Sequence, residues 1–125
     1  GNSVYLWAIA NATYMSLMGP AGFFDVGSTI LRRSHYAATK IAELPGVRVD
    51  WSSGFFKEFV VNFDGTDKTV AEINEALRQR RIFGGKDLSE SHVELGQSAL
   101  FCVTEIHTAD DIDRLVDNLK EVTAR

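Results

Sequence analysis

The run Gly-Phe-Phe-Lys-Glu-Phe-Val-Val-Asn-Phe, residues 54–63, constrains this chain more than any other stretch. Aromatic and β-branched residues at this density suit a pleated, partly buried surface, so the run reads as a strand. Strand side chains alternate, which places Phe55, Phe59, Val61 and Phe63 on one face, with Lys57 as the exception. Phe56, Glu58, Val60 and Asn62 take the other. Neither face is wholly polar. The reading is therefore a central strand covered on both sides, not a sheet edge. Residues 99–106, Ala-Leu-Phe-Cys-Val-Thr-Glu-Ile, share its character and are its expected partner. The rest of the chain reads as helix laid against that pair, giving an α/β sandwich with a small, mainly antiparallel sheet.

A chain of 125 residues forms one domain, residues 1–125, able to build its own core. The formal charge of −4 and the lack of a basic face speak against a nucleic-acid partner. Arg78, Arg80 and Arg81 cluster at a helix end, where cations suit the dipole. The single cysteine, Cys102, rules out an internal disulfide framework and points to a reducing, cytoplasmic setting. Its place in a strand pattern reads as a buried small hydrophobe. No basic segment precedes an apolar core as in a secretory signal, and the apolar opening is too short and interrupted to span a membrane.

Taken in order, residues 3–18 read as a helix stopped by Gly19-Pro20. Val4 to Ala10 is apolar all round, which demands burial on all sides. A small domain offers no such place, so residues 1–19 read as an interface element, with a homo-oligomer through helix 3–18 as one outcome. The chain is expected to be a piece of something larger, with Gly1 a cloning remnant. A second helix is expected over 22–44, ended by Pro45-Gly46, followed by a short strand at 47–51 that forms a hairpin with the central strand. Thr69-x-x-Glu72 and Thr108-x-x-Asp111 each match a helix-opening capping box. Residues 86–98 lack periodicity and read as a long loop, of the kind more often functional or mobile than merely connective.

The chemistry carried by this sequence is thin. His35, His92, His107 and Cys102 show no metal-ligand spacing, so no metal site is expected. Ser89-Glu-Ser-His92 reads as a solvated loop in preference to a hydrolase triad. Gly84-Gly85 lacks the phosphate-binding pattern and reads as a pair allowing positive φ or close approach of another backbone. Lys57 and Glu58 face opposite ways and so do not form a pair. The residues alone support a compact α/β domain with an interaction surface and no catalytic group.

Several stretches in their order, "LPGVRVDW", "GFFKEFVVNF", "RIFGGKDL" and "ALFCVTEIHTADDIDRLVDNLKEV", resemble the carboxy-terminal part of subunit 1 of glycine decarboxylase, the P-protein of the glycine cleavage system. "ATYMSLMGPAGFFDVG" and "HYAATKIAELPGV" are similar to helices of that family, so the resemblance spans essentially the whole chain. It departs from the family pattern at Lys57, at Ile106-His107 and at His92-Val93. The resemblance implies the small carboxy-terminal domain of an aspartate-aminotransferase-type (fold type I) enzyme. The parent uses pyridoxal phosphate to decarboxylate glycine and passes the aminomethyl group to a lipoyl carrier protein. It further implies partners in a missing amino-terminal large domain and in subunit 2, which carries the cofactor lysine. No catalytic, cofactor-binding or metal residue is then assigned here, and no cofactor is expected on this piece alone. Gly84, Gly85, Thr104 and Glu105, which end elements where loops converge, are the expected neighbours of a composite site. Two other readings remain: the small domain of an aminotransferase or cysteine desulfurase, and a non-enzymatic interaction module.

Overall fold

The computed structural model describes residues 3–124; Gly1, read as a cloning remnant, Asn2 and Arg125 lie outside the described residues. The elements run α1 (Val4–Ala42), β1 (Arg48–Val49), β2 (Glu58–Asn62), α2 (Val70–Gln79), β3 (Lys86–Asp87), a 3₁₀ turn (Val93–Leu95), β4 (Ser98–Cys102) and α3 (Ala109–Thr123). The four strands lie in the order β1-β2-β4-β3, every pair antiparallel. The strand read from 54–63 is interior and pairs with β4, as its sequence suggests, but it is only five residues long. Gly54 adopts a φ of 66° and the chain turns through Phe55–Lys57 before pairing begins.

The sheet is covered on one face only, which corrects the two-sided expectation. Register sets Phe59 opposite Phe101 and Val61 opposite Ala99, and all four are buried with Phe63 and Val49 under the helices. From above, Ala37, Ala38 and Ile41 of α1, Ile73 and Leu77 of α2, and Ile112 and Leu119 of α3 close the core. Positions of opposite parity, Glu58, Val60, Leu100 and Cys102, point to the other face. Cys102 is consequently exposed, not the buried small hydrophobe its strand context suggested. Fully buried Ser34 ties α1 to the turn before β2 by donating to the Phe56 carbonyl at 2.6 Å.

Gly19-Pro20 divides α1 into two helical segments that meet at a kink, the first ending where the sequence places its stop. Gly19 holds φ 59° and ψ −179°, which turns the chain, and helix resumes at once with Pro20 in its first turn, where no N–H is needed. Beyond this kink the amino-terminal half, residues 4–18, projects about 20 Å from the sheet domain. Its apolar side chains stand in solvent: Trp7 is 71% and Leu17 82% exposed.

The stretch 86–98 is less irregular than its composition suggested. It opens as the edge strand β3 and closes on polar anchors: the Gln97 N–H donates to Asp64 Oδ1 at 2.8 Å, and Gln97 Oε1 accepts from the Val70 N–H at 3.0 Å. The glutamine side chain thus closes the loop and caps a donor at the start of α2.

Both capping boxes are present. Thr108 accepts from the Asp111 N–H at 3.1 Å and Asp111 accepts from the Thr108 N–H at 2.9 Å. These bonds, the Thr108 side chain foremost, hold the Asp111 carboxyl below its ordinary pKa; the Thr69 N–H does the same for Glu72. At its other end α2 closes in a Schellman arrangement: the Ile82 N–H reaches the Leu77 carbonyl and the Arg81 N–H the Arg78 carbonyl, both at 2.9 Å. The residue forced into left-handed backbone there is Arg81, φ 60°, where glycine is the usual occupant.

Two stability outcomes follow from these helix ends. Thr108→Ala is expected to cost about 1 kcal/mol in urea denaturation at neutral pH. Because the folded Asp111 and Glu72 pKa values are depressed, the stabilisation they bring is complete above about pH 5 and lost as pH falls through the lower folded values. Acid titration followed by circular dichroism should therefore show a shallower loss in Thr108→Ala than in the parent chain. Arg81→Gly removes a left-handed penalty of about 1 kcal/mol and is expected to raise the melting temperature; a lower one would show that the arginine side chain itself supports the fold.

Candidate functional site

Beside the last residues of β4 the sheet lacks an edge strand. Main-chain bonding alternates along β4: Val103 N–H reaches back to the Lys57 carbonyl on the β2 side, whereas the Ser98 carbonyl accepts from Leu88 on the β3 side. The same parity turns the Cys102 main chain towards β3, whose pairing ends at Lys86 opposite Leu100. The chain diverges there because Gly84-Gly85 is packed against side chains. A Cβ on Gly85 would lie 2.6 Å from the Phe101 ring, and one on Gly84 would collide with Asn74. Asn74 Nδ2 donates to the Gly85 carbonyl at 2.9 Å and holds the pair in place. The close approach read from this glycine pair is real, but it is to side chains, and neither glycine has positive φ.

Between this divergence and the start of α3 lies a cleft of about 390 Å³. Its floor is apolar, formed by Phe101, Val103, Ile112 and Leu115, and exposed Phe83 and Ile106 also line it. Four polar side chains contribute to the lining: Arg81, Arg114, His107 and Asp111. The acid is committed to the α3 cap. Arg114 donates to the Arg80 carbonyl at 3.1 Å, and Arg80 in turn bonds Glu121 at 2.8 Å, so α2 and α3 are clamped beneath. His107 Nδ1 accepts from the Thr104 N–H at 3.0 Å. That bond assigns the ring proton to Nε2, which becomes a donor. No hydrogen bond or ion pair holds the Arg81 guanidinium among the described residues.

Of the positions expected near a site, Gly84 lines the cleft and Gly85 is buried behind it. Thr104 and Glu105 form the adjoining turn. Thr104 positions His107, and the Glu105 carbonyl accepts from Arg33 of α1. Arg81, His107 and Arg114 were not singled out as site residues by sequence. An arginine two residues past a helix end that otherwise calls for glycine was the available clue to the first. Among the described residues no cluster of three histidine, cysteine or acidic side chains could hold a metal, and no helix is long and apolar enough to cross a membrane.

No family model matches the chain. Probable glycine dehydrogenase (decarboxylating) subunit 1 of Desulfitobacterium hafniense is 40% identical over 117 residues, 94% of this chain and 26% of that protein. The protein of the same name from Staphylothermus marinus is 41% identical over 118 residues, 94% of this chain and 25% of its own length. Among solved structures, glycine decarboxylase (P-protein) of the glycine cleavage system, in inhibitor-bound form, superposes with a TM-score of 0.78 at 30% identity over 89% of this chain and 24% of that one. A C-DES mutant with glycine covalently linked to its PLP cofactor shares the fold alone, with a TM-score of 0.63 at 18% identity over 75% of this chain and 23% of that one. This chain is similar over 94% of its length to glycine dehydrogenase (decarboxylating) subunit 1, spans about a quarter of the length of the curated relatives it matches, and has the small α/β fold found in PLP enzymes of fold type I.

Proposed function

We propose that this chain serves as the carboxy-terminal small domain of a glycine-decarboxylating subunit 1. The observation that carries the reading is an identity of 40% over 94% of the chain, joined to a TM-score of 0.78 with a P-protein. In the parent assembly glycine loses its carboxyl group and the aminomethyl group passes to a lipoyl carrier protein, in the cytoplasm. Pyridoxal phosphate, when bound, supplies the electron sink for decarboxylation. The residues here do not fit a self-contained site for that cofactor. None of the five lysines is buried, and none lines the cleft. The cofactor is accordingly assigned to the partner subunit 2, and this domain helps to shape and close the composite site. Gly84, Gly85, Thr104 and Glu105 are proposed as its neighbours there. An aminotransferase-like reading looks for a carboxylate-gripping arginine in the last strand, and Ser98–Cys102 contains none.

The projecting half of α1 fits the same reading. Val4, Tyr5, Trp7 and Ile9 are 64–75% exposed, more contiguous apolar surface than an isolated domain normally leaves in water. We assign it to packing against the large domain or a neighbouring subunit. The isolated chain is then expected to self-associate in sedimentation velocity, and Trp7→Glu to shift it towards monomer; a strict monomer at high concentration would contradict this use of the helix.

The functional reading is tested by joining the chain to the region preceding it in its own coding sequence and mixing the product with subunit 2. Release of labelled carbon dioxide from carboxyl-labelled glycine is expected from the mixture. The 125-residue chain alone should take up no stoichiometric pyridoxal phosphate by absorbance. An inert mixture in which both subunits are folded and associated would overturn the reading, as would a specific lysine adduct on the isolated chain.

A further inference from the structure

Among the described residues Arg81 is the one left-handed position that glycine does not fill, and its guanidinium is unengaged. The helix end does not need a cation there, because Arg78 already serves the last turn of α2. A strained, uncommitted arginine on the wall of a cleft is the pattern of a residue kept for something outside the fold. The neighbouring groups have matching chemistry. His107 presents Nε2–H because Nδ1 is used by the Thr104 N–H. The Cys102 main-chain N–H and C=O both face the gap left where β3 stops, the N–H being the donor there. The one acid of the cleft, Asp111, has Oδ2 taken up by the Thr108 N–H and hydroxyl. The polar side of the cleft is therefore rich in donors, above a floor of Phe101, Val103, Ile112 and Leu115.

We propose that this cleft is a binding site for a small carboxylic acid with an apolar body, its carboxylate held by Arg81 with help from His107 Nε2–H and the Cys102 N–H. A volume of about 390 Å³ lies within the range of small-molecule sites, and an apolar floor with a few placed polar groups is their usual make-up. A planar guanidinium matches a carboxylate in geometry, whereas an alcohol or amide leaves the donor array half used. The inference rests on residues of this chain alone and goes beyond the glycine reaction proposed above.

The test is a ¹H–¹⁵N NMR titration of the whole chain with 3-phenylpropionate and 4-methylpentanoate, against 3-phenylpropanol as the uncharged counterpart. Saturable shifts are expected at Phe83, Gly84, Cys102 and Ile106. At least one acid should bind about tenfold more tightly than the alcohol, a modest effect for a charge-assisted hydrogen bond. Arg81→Asn tolerates left-handed backbone but carries no charge; it should leave the remaining spectrum in place and abolish the preference. The proposal is overturned if neither acid gives saturable shifts at these residues, if acid and alcohol bind alike, or if the preference survives Arg81→Asn. Tighter binding of an apolar peptide ending in a free carboxylate would also overturn it, reassigning the cleft to a protein partner. None of these outcomes depends on glycine turnover, so this inference and the functional reading fail separately.

Discussion

The stacking of Phe59 on Phe101 across the β2–β4 pair, ring centroids 6.1 Å apart and tilted by 17°, is the contact around which the domain closes. A strand admits only two faces, so fixing this pair also places Val61, Ala99 and Val49 inward. Three helices then have a single apolar floor to cover. Burying one such side chain is worth about 1.5–3 kcal/mol, so a one-residue slip that exposed the set would exceed the margin of a domain this size. The same parity dictates what stays outside. Glu58 and Cys102, paired in register, sit on the face the helices do not cover, along with Val60 and Leu100.

Much of this was legible from residue types because the controlling interactions are local. The capping boxes at Thr69 and Thr108 need only four consecutive residues, and both formed as their spacing suggested. The interior place of β2 and its pairing with β4 followed from aromatic and β-branched density. Tertiary conditions were less accessible. Apolar residues at Phe56 and Val60 suggested a second covering layer, yet sequence alternation cannot say whether a layer exists. Cys102 was misread for that reason: a cysteine in a strand is buried or exposed according to parity, and parity depends on register. Gly19-Pro20 was read as a stop because its two residues do break helical geometry. Only the structure shows that proline, placed in a first turn, restarts the helix without a loop.

The cleft was harder still to foresee. Its parts come from Arg81–Gly84 and from the stretch Phe101–Leu115 that joins the end of β4 to α3, two segments well apart in sequence. The glycine pair was noticed, but for backbone freedom. Its actual role is steric: without a side chain, Gly85 lets Phe101 lie against the strand and Gly84 lets Asn74 take the Gly85 carbonyl. That packing bends the chain away from β4 and leaves the gap.

Two departures from the most stable arrangement remain after the core is accounted for, and they lie in separate parts of the molecule. One is the apolar half of α1, which is exposed beside the sheet domain and which we assign to packing in a larger assembly. The other is Arg81, which holds left-handed backbone and whose guanidinium has no hydrogen-bonding or ionic partner among the described residues. The first concerns many side chains over several helical turns, and only an extended surface can satisfy it. The second concerns a single charged group beside a cleft of limited volume, and a small ligand is sufficient. The physical size of what is unsatisfied thus separates a surface suited to a protein neighbour from one suited to a metabolite-sized acid.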